Sequence, residues 1–295
     1  MTHGNQLRDS IAGPGTTPLI GVYDMYSASI AAKHYDGMFV SGFGFAASYY
    51  GLPDIGFIAW PDMVAFVQRL RGAFPHHHLL VDIDDGYVDP EVACHVVEGL
   101  ERIGASGVIL EDQKRPRRCG HYDGKQLMEL DAFMEKLVRV LETRRSLFVI
   151  ARTDSSDPND IVRRTAAFAA AGADGILVDG LTDLRLLEPV RAQVGLPLAF
   201  NQIAGGKSPL CTLDELARAG ISIAIYSTPC LFAAQRAITA TMESLIENGG
   251  LLVNDDPCAA TVRSCTAVLS ENLPAARARP LPAPARSAPR LTRAV

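Results

Sequence analysis

The sequence predicts an α/β protein in which eight strand–helix units close into a (β/α)8 barrel. Three observations carry that prediction. Apolar runs of strand length alternate with helical stretches eight times between residues 17 and 250. The strands are near-continuous in apolar residues, as expected where both faces of a parallel sheet are buried. Glycines at 104, 107, 172, 175 and 220 lie where helices hand over to the next strand, the usual place for a short turn. Eight units in about 230 residues is the size of a barrel of the TIM type. A doubly wound open sheet is the competing arrangement, but it more often places a glycine-rich phosphate loop after its first strand, and none stands there.

In chain order, residues 1–16 are polar and glycine-rich and are expected to form a flexible N-terminus. Strand Pro18 to Tyr23 precedes helix Ser27 to Tyr35, and the apolar stretch Gly37 to Gly42 leads into a glycine- and aromatic-rich segment ending at Trp60. Pro61-Asp62 opens the next helix, since proline suits a first helical turn. Strand His78 to Asp84 and helix Pro90 to Ile103 follow, then strand Ser106 to Glu111 and helix Leu127 to Thr143. Strand Leu147 to Thr153 pairs with helix Asn159 to Ala171, and strand Gly175 to Val178 with helix Asp183 to Val194. The last units are strand Pro197 to Asn201 with helix Leu213 to Ala219, and strand Ser222 to Tyr226 with helix Leu231 to Asn248. Residues 251–273 are expected to add a C-terminal helical extension around Val262 to Leu269. The Pro/Ala/Arg-rich tail, 274–295, lacks the large apolar residues needed to pack and reads as disordered.

The 295 residues are 48% hydrophobic and 21% charged, the balance of a globular protein with one large core. A net charge of -5, with no long basic run, argues against a nucleic-acid binder. No apolar run approaches the roughly 20 residues of a membrane span, and no secretory pattern opens the chain. Six cysteines without CxxC pairing suggest reduced thiols and a cytoplasmic protein. The run His76 to His78 has no second ligand cluster beside it and reads as a surface loop.

Chemistry concentrates at the strand ends. In a barrel the active site is built where the strands end, and here polar groups close every apolar strand: Tyr23-Asp24, Ser41-Gly42, Asp82-Ile-Asp84-Asp85, Glu111-Asp112, Arg152-Thr-Asp154, Asp179, Asn201 and Tyr226-Ser227. Asp82 and Asp84, two apart, would point the same way on one strand. Like charges together call for a cation, and an oxygen-only set favours Mg2+, with Mn2+ as an alternative. One of this pair capping the next helix is the structural alternative, a role better suited to Asp85 or Asp89. After Glu111 comes a loop, Lys114 to Gly124, that holds Arg115, Arg117 and Arg118 beside Cys119 and His121. Guanidinium groups grip anions, and a thiol in cationic surroundings is expected to have a lowered pKa and to exchange protons near neutrality.

With these residues in view, the sequence resembles the isocitrate lyase/phosphoenolpyruvate mutase superfamily. The match runs from about Val22 to Asn248 and includes Ser41-Gly42, Gly51-Leu-Pro-Asp54, Asp82-Ile-Asp84-Asp-Gly86, Glu111-Asp-Gln113, Arg118-Cys-Gly-His121, Ala151-Arg-Thr-Asp154 and Gly205-Gly-Lys207. The resemblance implies a Mg2+ held by Asp82, Asp84 and Glu111, with Asp54 nearby. It implies a substrate carboxylate received by the main chain at Ser41, Gly42 and Phe43, with Arg152 and Asn201. Tyr23, Asp179 and Ser227 complete the candidate substrate-binding set. Cys119, Arg152, His121 and Arg118 are the candidate catalytic residues, Cys119 as acid/base on a closing loop. The implied activity is carbon–carbon cleavage of a small 2-hydroxy or 2-keto di- or tricarboxylate. The implied assembly is a homotetramer in which a C-terminal helix packs on a neighbouring subunit.

Four positions depart from the lyase pattern: Arg117 replaces a lysine, Ala204 and Asp179 stand where glutamate is common, and Ser227 replaces a proline. They bear on which substrate fits. A serine near 227 is associated with oxaloacetate-hydrolysing relatives, so C–C hydrolysis stays open. Phosphorus–carbon chemistry, as in carboxyphosphonoenolpyruvate phosphonomutase, also stays open because that branch shares the Cys-Gly-His signature. A carboxylate-binding paralogue without turnover is the non-enzymatic alternative.

Overall fold

The computed structural model describes residues 1–252 and 259–273. Cys258 and the segment 274–295, read above as a disordered tail, lie outside them. Eight parallel strands, β1 Thr17–Val22, β2 Gly37–Val40, β3 His78–Asp82, β4 Gly107–Glu111, β5 Phe148–Thr153, β6 Gly175–Val178, β7 Leu198–Gln202 and β8 Ile221–Tyr226, pair in sequence order and close β8 onto β1. The fold class is the one expected, a (β/α)8 barrel. Among the described residues, no helix is long and apolar enough to cross a membrane.

Strand periodicity divides the apolar residues between two cores. Leu19, Phe39, Leu80, Ile109, Ile150, Leu177, Ala199 and Ile225 fill the barrel interior. Their immediate neighbours, such as Ile20, Val81, Leu110, Val149 and Val178, pack outward against the helices. The same alternation decides which strand-end groups enter the site. Asp82, Glu111, Arg152, Asp179, Asn201 and Ser227 each stand two residues beyond an interior apolar residue, so they form the interior's top layer.

The N-terminus differs from expectation. His3–Ile11 is a helix, capped by the Thr2 hydroxyl accepting from the Asn5 amide, and it closes the bottom of the barrel. Leu7 and Ile11, four apart on one face, are fully or nearly fully buried in the interior core. Each such burial contributes ~1.5–3 kcal/mol. Arg8 fixes the helix to the barrel through Asp174 at 2.8 Å and the Ser146 carbonyl at 2.6 Å. Two apolar residues among seven polar or glycine positions give a weak sequence signal, and the docking contacts supply the rest. At the other end, the helix Val262–Ser270 forms within the extension expected over 251–273, capped by Thr261.

Strand β3 also stops earlier than expected. It ends at Asp82; Asp84 lies in the following turn with a φ of 51°. Asp89, one of the two anticipated caps, accepts from the Val92 amide at 2.9 Å and starts the helix Pro90–Arg102. Asp85 does not cap; it is buried and holds Arg115 through two bonds of 2.7 and 2.8 Å.

Candidate active site

The register of β4 on β5 sets Glu111 beside Arg152 at the mouth of the barrel. Arg152 is a node of charge. Its guanidinium donates to both Asp154 oxygens at 2.9 and 3.0 Å and lies 3.2 Å from Glu111 Oε2 and 2.8 Å from Asp179 Oδ2. Burial raises the Asp179 carboxyl, but the Arg152 charge, with His121 beside it, more than reverses this and holds it well below the usual carboxylate range. Asp179 in turn accepts from Asn201 Nδ2 at 3.1 Å, and the Ser227 hydroxyl donates to Asn201 Oδ1 at 2.6 Å. A chain of fixed dipoles therefore runs from β8 to the guanidinium on β5.

The loop from Lys114 to Gly124 lies over this layer. Gln113 clamps its base, donating to the Arg118 carbonyl and accepting from the Arg118 amide at 2.8 and 2.9 Å. Lys125 donates to the Gly120 carbonyl and to Asp154. His121 Nδ1 accepts from the Lys207 amide at 2.9 Å, which places its proton on Nε2, 3.5 Å from Asp179. Gly120 is required by close approach: a Cβ there would lie 2.1 Å from Asp179 Oδ2 and 2.6 Å from Arg152 Nη2. Beneath the loop is a cavity of about 20 Å³, room for one water-sized body.

Cys119 lines that cavity and is 9% exposed. The expected lowering of its thiol pKa is not what the structure produces. Burial, reinforced by Asp54 and Asp179, pushes the thiol up to about 11 despite an amide donated from His121. The cationic residues of the loop are spent elsewhere, Arg115 on Asp85 and Arg117 on Asp54 and Glu111. Cys119 is thus a protonated, acid-form thiol at neutral pH.

Other sequence-predicted residues fall into place around the same cavity. Ser41, Phe43, Asp54, Asp82, Arg152, Asp179, Asn201 and Ser227 line it with Cys119. Ser41 Oγ caps the short helix Gly42–Phe45 by accepting from the Gly44 amide at 3.2 Å. Six predicted residues do not line it: Tyr23, Gly42, Asp84, Glu111, Arg118 and His121. Tyr23 packs against that helical turn, and Arg118 is exposed on the outer side of the loop, its guanidinium toward the Asp123 carbonyl. Lys125, Asp154 and Lys207 tie the loop down and were not among the predicted site residues. Asp154 carried a signal, two positions beyond Arg152, and Lys207 closed the Gly205-Gly-Lys207 motif, but the role of Lys125 is known only from the seated loop.

Asp54, Asp82, Asp84 and Glu111 form a buried acidic cluster. Burial raises Asp82 and Asp84, Asp84 furthest, and takes Glu111 to about 7 even with Arg117 and Arg152 pulling the other way. No set of three His, Cys, Asp or Glu side chains among the described residues is already gathered as a metal cage. The donors nonetheless suit a hard divalent cation that keeps some of its waters. Asp84 Oδ1 and Glu111 Oε2 are buried oxygens without a hydrogen bond. Asp82 Oδ2 and Asp84 Oδ1 converge on one spot, 3.0 and 3.2 Å from where a Cβ at Gly42 would sit. The charge also fits, since four carboxyls face only Arg117 and Arg152.

A family model described as phosphoenolpyruvate phosphomutase matches residues 7–246. The petal death protein of Dianthus caryophyllus is 33% identical over 242 residues, covering 80% of this chain and 76% of that protein. The 2-methylisocitrate lyase of Shewanella oneidensis is 29% identical over 252 residues, covering 83% and 86%. Among solved structures, 2,3-dimethylmalate lyase, a PEP mutase/isocitrate lyase superfamily member, is similar with a TM-score of 0.85 at 28% identity, covering 92% of this chain and 93% of that one. Oxaloacetate acetylhydrolase in complex with 3,3-difluorooxalacetate is similar with a TM-score of 0.85 at 29% identity, covering 90% and 93%.

Proposed function

Because the chain belongs to the phosphoenolpyruvate phosphomutase family, we propose that it is a divalent-cation-dependent carbon–carbon lyase acting on a small 2-hydroxy or 2-keto di- or tricarboxylate. Similarity to 2-methylisocitrate and 2,3-dimethylmalate lyases supports the reaction class. The single observation that carries the reading is the cavity itself. Its lining brings together the Arg152 guanidinium, the protonated Cys119 thiol and the Asp54 and Asp82 carboxylates, and the acids beside it, Asp84 and Glu111, each keep a buried oxygen that accepts no hydrogen bond. Asp82, Asp84 and Glu111, with Asp54 nearby, would hold Mg2+ or Mn2+. When bound there, the ion would supply positive charge toward an oxygen that becomes negative in the reaction.

The chain's own residues do the remaining work. Arg152, fixed by Asp154 and Asp179, receives a substrate carboxylate and stabilises the developing enolate without reorganising. Asn201 and the amides at Ser41 to Phe43 orient it. In a retro-aldol step a site carboxylate takes the 2-hydroxyl proton, and that oxygen becomes a carbonyl as the carbon–carbon bond breaks. The departing carbon keeps the electron pair, and Cys119 Sγ gives its proton to that carbon. The loop excludes water, which would otherwise protonate the carbanion at random. His121 holds the loop against Asp179 and the Lys207 amide, a positioning role.

A second reading rests on Ser227. Its buried hydroxyl lines the cavity and bonds Asn201, and the chain is similar to an oxaloacetate acetylhydrolase. A turnover screen with Mg2+ over isocitrate, 2-methylisocitrate, dimethylmalate, oxaloacetate and phosphonopyruvate, read by proton and phosphorus NMR, separates the cases. Release of a keto acid from a 2-hydroxy acid is the expected result. Oxaloacetate converted to oxalate and acetate, and lost in Ser227→Ala, would move the assignment to hydrolysis. A phosphorus shift without carbon cleavage would remove the lyase reading.

The helix Pro229–Glu247 that follows β8 buries none of its residues, and Ile238, Met242 and Ile246 form an exposed stripe at spacing four. We assign this face to a second copy in a cytoplasmic homo-oligomer, in line with the tetramer that the resemblance implies. Light scattering on the eluting protein is expected to give an oligomer, and Ile238→Asp with Ile246→Asp to give a smaller species. A monomeric wild type would overturn the assignment.

A further inference from the structure

We infer that Arg117 is a built-in counter-cation that competes with the divalent ion for the same carboxylates. In the absence of substrate, the covering loop and the ion are then alternative neutralisers of one buried charge cluster. The inference rests on the proposed cation role of Asp82, Asp84 and Glu111, and concerns a residue of this chain where the lyase pattern has lysine. Arg117 is 1% exposed and is the largest fully buried side chain among the described residues. Its guanidinium donates to Asp54 and to Glu111 Oε1 at 2.8 Å, and lies 3.3 Å from Asp84 Oδ1. It therefore touches three of the four acids proposed for the ion.

The fork geometry matters. An arginine presents several donors in one plane and can bridge two carboxylates at once, whereas a lysine places a single point charge. Arg117 spans Asp54 and Glu111 in this way and also faces Asp84 Oδ1, so it occupies oxygens that the ion would use. It is also delivered rigidly. Arg115, two residues earlier, is pinned on Asp85, and Arg118, one residue later, is pinned on Gln113. With its backbone fixed on both sides, the guanidinium cannot slide aside while the loop stays seated. An arriving ion must share oxygens with a fixed positive charge or displace it. The oxygens left without hydrogen bonds, Asp84 Oδ1 and Glu111 Oε2, show that one guanidinium does not satisfy the cluster.

The test is calorimetric titration of metal-stripped protein with Mn2+, comparing wild type, Arg117→Gln, Arg117→Lys and Asp82→Asn. Removing the charge in Arg117→Gln is expected to tighten Mn2+ binding about tenfold or more, because a unit charge a few ångströms away opposes the ion strongly in a partly buried site. Saturating Mn2+ should also raise the melting temperature more in Arg117→Gln than in wild type. Arg117→Lys, which keeps the charge but cannot bridge two carboxylates, should fall between wild type and Arg117→Gln. Equal or weaker binding in Arg117→Gln, with wild-type binding still removed by Asp82→Asn, overturns the competition and leaves the metal site standing. Absence of any Mn2+ binding that depends on Asp82 overturns both. Should Arg117→Gln not fold, wild type decides by trypsin cleavage after Arg117 and Arg118. Faster cleavage with Mn2+ supports displacement of the loop, and slower or unchanged cleavage overturns it.

Discussion

Cys119→Ser is expected to lower turnover by about 10³-fold, the scale on which a positioned general acid acts. The substitution barely alters shape but replaces a thiol by a much weaker acid on a shorter bond. In the wild-type cavity, burial and the nearby Asp54 and Asp179 carboxylates hold the thiol at about 11. A raised pKa means the proton is retained as pH rises, so the acid form is complete throughout the neutral range. The rate should therefore show no alkaline fall assignable to Cys119 until pH approaches that value. Mn2+ affinity and product binding should be unchanged in Cys119→Ser, since the serine alters neither the charge nor the placement of the proposed ion ligands. Steady-state kinetics and calorimetry check both halves. Retained turnover would take the cysteine out of the mechanism, and a rate falling near pH 8 with the thiol's own ionisation would contradict its role as an acid.

This thiol also shows where sequence reading reaches its limit. The positions of the strands were legible because fully buried strands are apolar throughout, and the polar residue ending each run marked the mouth of the barrel. Alternation along a strand even separates inward from outward groups. Glu111 enters the site, while its neighbour Asp112 turns outward to accept from Arg164 at 3.2 Å. What could not be read was the pairing of charges across the barrel. The loop is basic in composition, yet Arg115 is neutralised by Asp85 from the turn after β3, and Arg117 by Glu111 of β4 and by Asp54. The net field at Cys119 is set by what remains, two carboxylates and burial, and its sign is opposite to that of the local sequence. The helix at His3–Ile11 illustrates the complementary case, in which tertiary contacts through Leu7, Ile11 and Arg8 order a stretch whose own composition is that of a loop.

Arg152 is the residue whose loss should be felt most widely, and its variants can separate binding from stability. Both Arg152→Lys and Arg152→Met should reduce kcat/KM by about 10²–10³, the effect of removing one preorganised partner of a developing oxyanion. Lysine is insufficient because a single ammonium cannot hold both Asp154 oxygens and still face Asp179 and Glu111. Stability should distinguish the two. Arg152→Met leaves the buried Asp179 without its guanidinium, at a cost of roughly 3–5 kcal/mol, whereas Arg152→Lys keeps the charge and should lose much less. The pH dependence has a definite sign. Asp179 has a depressed folded pKa, so in wild type its contribution is present above the unfolded value of about 3.9 and is lost as pH falls below it. Without Arg152 the orphaned carboxyls take up protons already at higher pH. The gap between wild type and Arg152→Met should therefore be largest at neutral pH and narrow toward about pH 4. Denaturant melts at several pH values measure it. A gap that stays constant or widens on acidification would mean that Asp179 and Glu111 do not depend on the guanidinium for their charge, and the site's electrostatics would need a different centre.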